Sequence, residues 1–293
     1  MKITVFTPTY NRGYLLEKLY QSLQQQTFTD FEWLVIDDGS KDSTEDLIEK
    51  WVNEKNSFPI RYKKVPNGGK HRAINMATDQ ANGELFFIVD SDDYLTEDAL
   101  ESIVRWEKTL PDKKLFCGVS GNRGKSINDF LGTTFEGEYI DATSLERNKF
   151  NITGDKAEVF YTDILKNYKF DEFEGEKFIS EATVWDRMAN DGFNIRWFNK
   201  TIYICNYLND GLTQNIDEIF AKNPKGTACY INQQIKFYKP NLFGKFANYS
   251  LYYSFVKRNI GIKQASEYLG INLFTFLSAI ILVKCKRLIL NKS

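Results

Sequence analysis

The sequence predicts an α/β fold, with a mostly parallel sheet flanked by helices and a helical C-terminal extension. Two observations support this prediction. Between Lys2 and Gly121 short β-rich runs alternate with helical patterns, and the β-rich runs are mostly apolar. Strands that are buried on both faces and separated by helices are typical of parallel sheets. Ligands of such sheets bind beyond the carboxyl ends of the strands, so functional side chains are expected there.

The β-rich runs define five strands in the first part of the chain and two more further along. β-Branched and aromatic residues favour the extended conformation. The predicted strands cover residues 3–6, 31–36, 60–65, 85–89, 115–119, 193–198 and 201–207. Apolar residues at helical spacing predict helices between the first strands. The three predicted helical faces are residues 15, 16, 19 and 23, residues 47, 48, 51 and 52, and residues 73, 74, 77 and 81.

The rest of the chain separates into a polar stretch and a helical end. Residues 122–151 are Gly-rich and polar, and an acidic loop follows at 171–176, which predicts connections or a lid. A helix is expected at 181–190, and the chain after residue 212 is expected to be helical. We therefore predict a domain over residues 1–211 that holds the sheet, and a separate helical region over residues 212–293.

Composition indicates a globular protein. The 293 residues are 42% hydrophobic and 26% charged, enough for one sizeable core and a second, smaller unit. The four cysteines lie far apart and form no CxxC pair, so neither a zinc site nor a disulfide framework is predicted. The first residues form a strand pattern without the features of a secretory signal, which favours a reducing cytosol.

The first polar cluster, Thr7-Pro8-Thr9-Tyr10-Asn11-Arg12, follows the first strand and leads into a helix. Free backbone amides at a helix N-terminus suit a base edge or a phosphate. The alternative is an ordinary strand-to-helix turn with proline as its breaker.

The second cluster, Asp37-Asp38-Gly39-Ser40, follows the second strand. Its two acids could accept hydrogen bonds from a nucleobase or from ribose hydroxyls. The alternative is capping of the next helix by Asp38, Ser40 or Asp42, with Asp42 and Glu45 as a capping pair.

The third cluster, Asp90-Ser91-Asp92-Asp93, ends a fully apolar strand. In an extended segment Asp90 and Asp92 point to the same side. Two carboxylates at a strand end suit a divalent ion that takes its other ligands from phosphates and water. The alternative is capping of a helix that starts near Thr96.

A glycine-rich basic loop, residues 67–72, precedes the third predicted helix. Gly68 and Gly69 allow close backbone approach, and Lys70 brings positive charge to the place where a diphosphate would lie. The only histidine, His71, is expected to position or hydrogen-bond a ligand rather than to act as a base. The alternative is a turn with a solvated basic face.

The segments TPTYNR, VIDDGSKD, NGGKHRAIN and VDSDD, in this order and spacing, resemble the inverting family 2 glycosyltransferases, which have a Rossmann-like GT-A fold. The match covers residues 2–120. The looser segments GEKFISEATVW and YLNDGLT resemble those of bacterial capsule and cell-wall members.

This resemblance implies a UDP-sugar donor and a divalent ion, Mn²⁺ or Mg²⁺, held by Asp90 and Asp92. The acceptor would be a saccharide or a lipid-linked saccharide, and the sugar would transfer in a single in-line displacement. The implied donor-binding residues are Thr7, Pro8, Thr9, Tyr10, Arg12, Asp37, Asp38, Lys70, His71, Asp90 and Ser91.

The resemblance also implies an acidic base, for which Glu181 is the candidate because the family commonly places an acid ahead of an aromatic residue. Many relatives have two consecutive acids at this point, whereas this chain has Ala182 as the second residue. Asp210 and Glu176 are the substitutes.

The tail differs in charge from the rest of the chain. Residues 221–293 hold 12 Lys/Arg and one acid, a net charge of +11 against −12 for residues 1–220. Residues 271–283 are apolar but shorter than the ~20 residues of a membrane span. Basic residues beside apolar and aromatic ones suit a helix lying on an anionic membrane rather than nucleic acid. The predicted aromatic face is Phe246, Tyr249 and Tyr253, beside Lys245, Lys257 and Arg258.

The tail pattern predicts a cytoplasmic protein, peripheral on the inner face of the cell membrane. The alternative is a C-terminal helix that packs on the catalytic domain or on a second subunit, so a homo-oligomer stays open.

Specific segments of the sequence disfavour three rival functions. A sugar nucleotidyltransferase is expected to open with a Gly-rich loop carrying Arg and Lys, which this chain replaces with residues 7–10. A processive synthase is expected to have a QxxRW segment, which this sequence lacks. A non-catalytic nucleotide- or sugar-binding module of a membrane assembly complex is disfavoured because Asp90, Asp92 and a base candidate are present.

Overall fold

The structure, a computed structural model, describes residues 1–206 and 215–290, with side chains up to Lys286. The chain forms two compact units. The first comprises Met1–Lys169 and Arg187–Leu208, and the second comprises Phe170–Asp186 and Asn209–Ser293.

The first unit is built on a ten-stranded sheet in the order β3-β2-β1-β4-β9-β6-β10-β5, with β7 beside β6 and β8 beside β10. The strands are β1 Ile3–Thr9, β2 Phe31–Asp37, β3 Ile60–Lys64, β4 Leu85–Ile88, β5 Tyr94–Leu95, β6 Phe116–Ser126, β7 Asp129–Phe130, β8 Tyr139–Ala142, β9 Lys156–Tyr161 and β10 Asn194–Ile204. Six of these strands, β1 to β4, β6 and β10, run in one direction. The predicted mostly parallel α/β sheet is therefore confirmed.

Eleven α-helices accompany the sheet in the described residues. They are α1 Gly13–Gln24, α2 Thr44–Asn53, α3 Lys70–Gln80, α4 Ala99–Glu107, α5 Thr162–Leu165, α6 Ala182–Asn190, α7 Ile216–Lys222, α8 Pro224–Tyr238, α9 Leu242–Val256, α10 Ile262–Tyr268 and α11 Leu273–Leu290. Two 3₁₀-helices cover Lys113–Leu115 and Ser144–Phe150.

The core of the first unit forms where the predicted helical faces meet the sheet. Leu16 and Leu19 of α1 and Ile48 and Trp51 of α2 are buried against it. The ring of Tyr20 stacks on Trp51 with 4.3 Å between the centroids. Amphipathic helices stabilise such a sheet by removing one apolar face from water.

Three strand predictions are wrong in extent. Residues 194–198 and 201–204, taken from two separate predicted strands, belong to one strand, β10, whose register with β6 shifts between Trp197 and Thr201. This irregularity brings polar residues into the middle of the strand and divides its apolar pattern into two. The pattern at 115–119 marks only the first part of β6, because Ser120 and Asn122 also pair with both β9 and β10.

The second unit packs α7 to α11 around a separate apolar cluster. Tyr249 is buried in it, and Phe246 and Tyr253 pack against it. The Tyr253 ring meets the ring of Phe276 of α11 edge-on, with 5.6 Å between their centroids. The prediction that Phe246, Tyr249 and Tyr253 form a membrane-facing surface is therefore wrong, because these rings supply the core of their own helical unit.

Another face of α11 is exposed. Phe274, Leu277 and Ile281 lie one turn apart on it, with Phe274 81% exposed. Lys284 and Lys286 follow, and Lys286 lies over the ring of Phe243. No single helix in the described part of the chain is long and apolar enough to cross a membrane; Ile262–Tyr268 and Leu273–Lys286 would do so only as a pair bent by 106°.

Candidate functional site

The carboxyl ends of the parallel strands bring the predicted polar clusters to one edge of the first unit. Thr9 at the end of β1 is the register partner of Asp37 at the end of β2. The Asp38 amide donates to the Thr9 carbonyl at 2.8 Å, and the Val65 amide after β3 donates to the Asp37 carbonyl at 2.8 Å. Asp90 follows β4, the other neighbour of β1. The sheet therefore gathers residues separated by more than 80 positions in the chain.

The first two loops are locked together by reciprocal hydrogen bonds. Asn11, with a φ of 53°, accepts from the Lys41 amide through its side chain at 2.8 Å. Its own amide donates to Ser40 Oγ at 2.8 Å. Pro8 is partly buried and Tyr10 is exposed, so Tyr10 presents a ring at the surface of this edge.

Asp37 and Thr9 lie at the buried end of the edge. One carboxylate oxygen of Asp37 accepts from the Ser40 amide and the other accepts from the Tyr62 hydroxyl, each at 2.7 Å. Thr7 accepts from the indole of Trp33. The Thr9 hydroxyl is buried and has no hydrogen-bond partner within residues 1–206 and 215–290. A buried hydroxyl of this kind retains hydrogen-bonding capacity for a ligand.

Asp38 holds the glycine-rich loop rather than the helix that follows it. Its carboxylate accepts from the amides of Gly68 at 2.6 Å and Gly69 at 2.8 Å, and from the side chain of Asn67. Gly69 has a φ of 96°, a backbone conformation that glycine adopts readily and that residues with a side chain rarely adopt. The loop so fixed places Lys70 in the first turn of α3, where His71 is buried.

The acidic cluster is a tight turn, not an extended segment. β4 ends at Ile88, and the Asp93 amide donates to the Asp90 carbonyl at 3.1 Å. The premise that strand alternation puts Asp90 and Asp92 on one side is therefore wrong. Ser91 is buried within this turn.

Cations pair with both predicted metal ligands. Lys70 lies 2.6 Å from one oxygen of Asp90, and Arg12 lies 2.7 Å from one oxygen of Asp92. Arg123 approaches the second oxygen of Asp90 at 3.4 Å. Burial would raise the pKa of Asp90, but the charges of Lys70 and Arg123 outweigh burial and lower this pKa to about 2. Asp90 is therefore a carboxylate at neutral pH.

Asp93 differs from its neighbours. Burial, followed by the nearby charge of Asp90, raises the pKa of Asp93 to about 6. One of its oxygens accepts from the Asn206 amide at 2.9 Å. Asp93 therefore joins the acidic turn to the chain that follows β10.

Two residues of the site, Arg123 of β6 and Tyr203 of β10, are not among the predicted ones. The Asp90 amide donates to the Tyr203 hydroxyl at 2.9 Å. Arg123 lies in the Gly-rich stretch that was predicted as a connection. A longer predicted strand there would have marked it as a charged residue inside the sheet.

The acidic turn has the donor chemistry of a Mg²⁺ or Mn²⁺ site. Asp90 and Asp92 offer carboxylate oxygens, the ligands that these ions take in proteins alongside phosphates and water. In the part of the chain that the structure describes, no three His, Cys, Asp or Glu side chains come together as a metal site. An ion bound here would take its remaining ligands from phosphate oxygens and water.

The candidate bases belong to the second unit. Glu181 is half-buried directly before α6, and its carbonyl accepts from the amides of Val184 and Trp185. Glu176 is buried, and its two carboxylate oxygens accept from the amides of Lys225 and Gly226 at 2.8 Å each. Glu176 thus caps the N-terminus of α8, which gives it a structural role. The other substitute, residue 210, lies outside the described residues.

Comparison with known proteins identifies a family and a shared fold. Residues 4–160, just over half of the chain, match the model of Glycosyl transferase family 2. A GalNAc(5)-diNAcBac-PP-undecaprenol beta-1,3-glucosyltransferase of Campylobacter jejuni is 31% identical over 192 residues, which are 63% of this chain and 58% of that protein. The chain therefore spans less than two thirds of that relative.

Solved structures share the fold. Staphylococcus aureus TarS 1–349 in complex with UDP-GlcNAc superposes with a TM-score of 0.63 at 19% identity, covering 98% of this chain and 92% of that one. A mannosyltransferase from Pyrobaculum calidifontis in complex with GDP-Man and Mn²⁺ superposes with a TM-score of 0.57 at 17% identity, covering 97% and 75%.

The sheet order and these structural likenesses define a protein with a GT-A fold. The chain belongs to glycosyl transferase family 2.

Proposed function

We propose that this protein transfers a sugar from a UDP-sugar, with inversion at the anomeric carbon, to a saccharide or lipid-linked acceptor during cell-surface polysaccharide synthesis. One observation carries the proposal: the acidic turn at Asp90 and Asp92 lies at the same sheet edge as Thr9, Asp37 and Lys70. A nucleoside diphosphate would find carboxylates for its metal ion at Asp90 and Asp92, an ammonium for its phosphates at Lys70, and a hydroxyl for its nucleobase at Thr9.

The uridine is proposed to bind at Thr9 and Asp37. The Thr9 hydroxyl and the second lone pairs of the Asp37 oxygens can hydrogen-bond the base. The exposed ring of Tyr10 can cover the nucleoside, because aromatic rings stack on bases. Thr7, Pro8, Asp38, His71 and Ser91 are assigned to shaping this pocket, since each is wholly or partly buried in or directly after β1, β2 and β4, or in the first turn of α3.

The diphosphate is proposed to lie between the acidic turn and the cations. Arg12 pairs with Asp92 and Lys70 pairs with Asp90. Asp90 and Asp92 would hold Mn²⁺ or Mg²⁺, and Arg12 and Lys70 would bind the phosphate oxygens of the donor. The ion would stabilise negative charge on the leaving diphosphate. Asp90, with its lowered pKa, stays ionised over the whole neutral range.

Glu181 is proposed as the base that takes the proton of the acceptor hydroxyl. Support comes from its place in the segment ISEATVW and from the occupation of Glu176 by the α8 amides. A carboxylate held at the start of a helix can accept this proton in the same step as the sugar moves.

The exposed face of α11 is proposed to bind the cytoplasmic surface of an anionic membrane. Phe274, Leu277 and Ile281 offer apolar area, and Lys284 and Lys286 offer charge to lipid headgroups. Such attachment would bring the protein to a lipid-linked acceptor.

Incubation of the purified protein with Mn²⁺ and a panel of UDP-sugars tests the function. We expect slow release of UDP from one or two donors by hydrolysis, and faster release when the acceptor is present. UDP binding without any release would favour the non-catalytic nucleotide-binding module instead.

A further inference from the structure

Arg123 and Tyr203 form a pair inside the sheet. They are register partners on the parallel strands β6 and β10. The guanidinium carbon of Arg123 lies 4.2 Å from the centroid of the Tyr203 ring. Tyr203 is fully buried and the Arg123 side chain is only 13% exposed. A buried arginine needs polar partners, because leaving its charge unpaired would destabilise the folded state by roughly several kcal/mol.

Arg123 has one partner on β9 and a second in the turn that follows β4. Its Nε donates to the carbonyl of Lys156 on β9 at 2.8 Å. Its Nη1 lies 3.4 Å from Oδ2 of Asp90, which follows β4 on the far side of β9. The planar fork of the guanidinium can make both contacts, which a lysine ammonium could not do with the same geometry. Arg123 therefore reaches across one strand to the acidic turn.

Tyr203 also contacts Asp90, through the backbone amide of Asp90. The Asp90 amide donates to the Tyr203 hydroxyl at 2.9 Å. The carboxylate and the amide of Asp90 are thus fixed by one stacked pair, whereas Lys70 fixes only the other carboxylate oxygen. Both halves of the pair are held by the sheet itself rather than by a loop.

We propose that Arg123 and Tyr203 are positioning residues, which orient Asp90 for the metal-bound diphosphate of the donor without touching the donor. This inference rests on the proposed function. A carboxylate that is oriented before the ligand arrives loses less entropy on binding, so the pair should add to affinity for the metal-nucleotide complex. The effect should be confined to binding that depends on the metal.

Titration calorimetry of UDP with and without Mn²⁺ tests the proposal. Tyr203→Phe keeps the ring and removes only the hydroxyl, and it should weaken Mn²⁺-dependent UDP binding by about tenfold. Arg123→Met should weaken it by about 10- to 100-fold, and Arg123→Lys should restore part of the loss. UDP binding without metal should change by less than about twofold in all three variants.

Two remote residues provide matched controls. Tyr161 is also buried and its hydroxyl donates to Glu107 at 2.9 Å, so Tyr161→Phe removes a comparable hydrogen bond. Arg196 pairs with Asp141 and stacks 4.2 Å from the Tyr139 ring centroid, so Arg196→Met removes a comparable stacked cation. Both variants should lower the melting temperature and leave UDP binding unchanged.

Three outcomes would overturn the inference. Normal Mn²⁺-dependent UDP affinity in both Tyr203→Phe and Arg123→Met would exclude a positioning role. An equal loss of affinity in Tyr161→Phe or Arg196→Met would mean that the site responds only to overall stability. A wild-type protein that does not bind UDP with Mn²⁺ would refute the proposed function and this inference together.

Discussion

The ammonium nitrogen of Lys70 lies 2.6 Å from Oδ1 of Asp90, although one residue opens α3 and the other follows β4. The contact joins the glycine-rich loop to the acidic turn. Asp38 fixes the loop end of this contact through the amides of Gly68 and Gly69. The cation and the carboxylate are therefore both in place before a ligand arrives.

Replacing Lys70 by methionine should weaken UDP binding in the presence of Mn²⁺ by about 10- to 100-fold, because a charge-assisted contact to phosphate is lost. Fluorescence titration with a labelled UDP would measure this loss of affinity. Lys64, paired with Glu45 at the surface, is the matched control, and Lys64→Met should leave the affinity unchanged. Equal affinities for both variants would remove Lys70 from the donor site.

Glu181→Gln should lower turnover by about 10²- to 10⁴-fold, the usual contribution of a general base, with UDP affinity largely intact. Steady-state transfer assays and calorimetry separate the two quantities. Glu174→Gln, at an exposed position of the acidic loop 171–176 that precedes Glu181, is the control and should retain normal turnover. Normal turnover in Glu181→Gln would exclude Glu181 as the base.

The fold and the site differ in how far the sequence alone predicts them. Fully apolar strands such as residues 85–88 and the helical faces of α1 to α3 follow from periodicity, because burial imposes it. Strand ends also identify Asp37 and Asp90. Arg123 could not be found in this way, because its burial depends on pairing with β10 and on contacts with Lys156 and Asp90, all of which are distant in the chain.

In the helical unit, the sequence pattern predicted a surface role for side chains that are part of a core. Basic residues beside Phe246, Tyr249 and Tyr253 favour a membrane surface by local pattern, but the rings are needed to fill a small core between helices. Local spacing cannot distinguish these two uses of an aromatic face. The exposed stripe on α11 offers apolar side chains for a surface role.

That stripe gives a prediction about membranes. Phe274→Glu combined with Ile281→Glu should reduce co-sedimentation with anionic vesicles by at least about tenfold, because each change removes apolar area and adds repulsion. Leu115→Glu is the control, since Leu115 is as exposed as Ile281 but lies in the first unit. Unchanged sedimentation of the double variant, with helix content preserved, would refute membrane binding through α11.

A buried acid far from the turn should govern acid stability. Glu32 is 1% exposed and accepts hydrogen bonds from Thr4, Asn82 and Arg61. Burial acts to raise the pKa of Glu32, but these hydrogen bonds together lower it below its ordinary value of 4.5. A lowered folded-state pKa adds stability above pH 4.5 that is lost as the pH falls through the folded-state value.

Glu32→Gln should therefore lower the free energy of unfolding by about 2 kcal/mol at pH 7, and this difference should shrink progressively below pH ~4.5. Urea denaturation at a series of pH values measures it. Glu17→Gln, on the exposed face of α1, should cost little at any pH. A difference between wild type and Glu32→Gln that grows as the pH falls would contradict this assignment.

The most direct measurement is the dependence of UDP affinity on Mn²⁺ in the wild type and in Asp92→Asn, with the exposed Asp46→Asn as control. The wild type and the control should bind UDP at least about tenfold more tightly with Mn²⁺ than without it, and Asp92→Asn should bind equally weakly in both conditions. A wild type whose UDP affinity is the same with and without Mn²⁺, or an Asp92→Asn variant that keeps the full Mn²⁺ effect, would contradict the account.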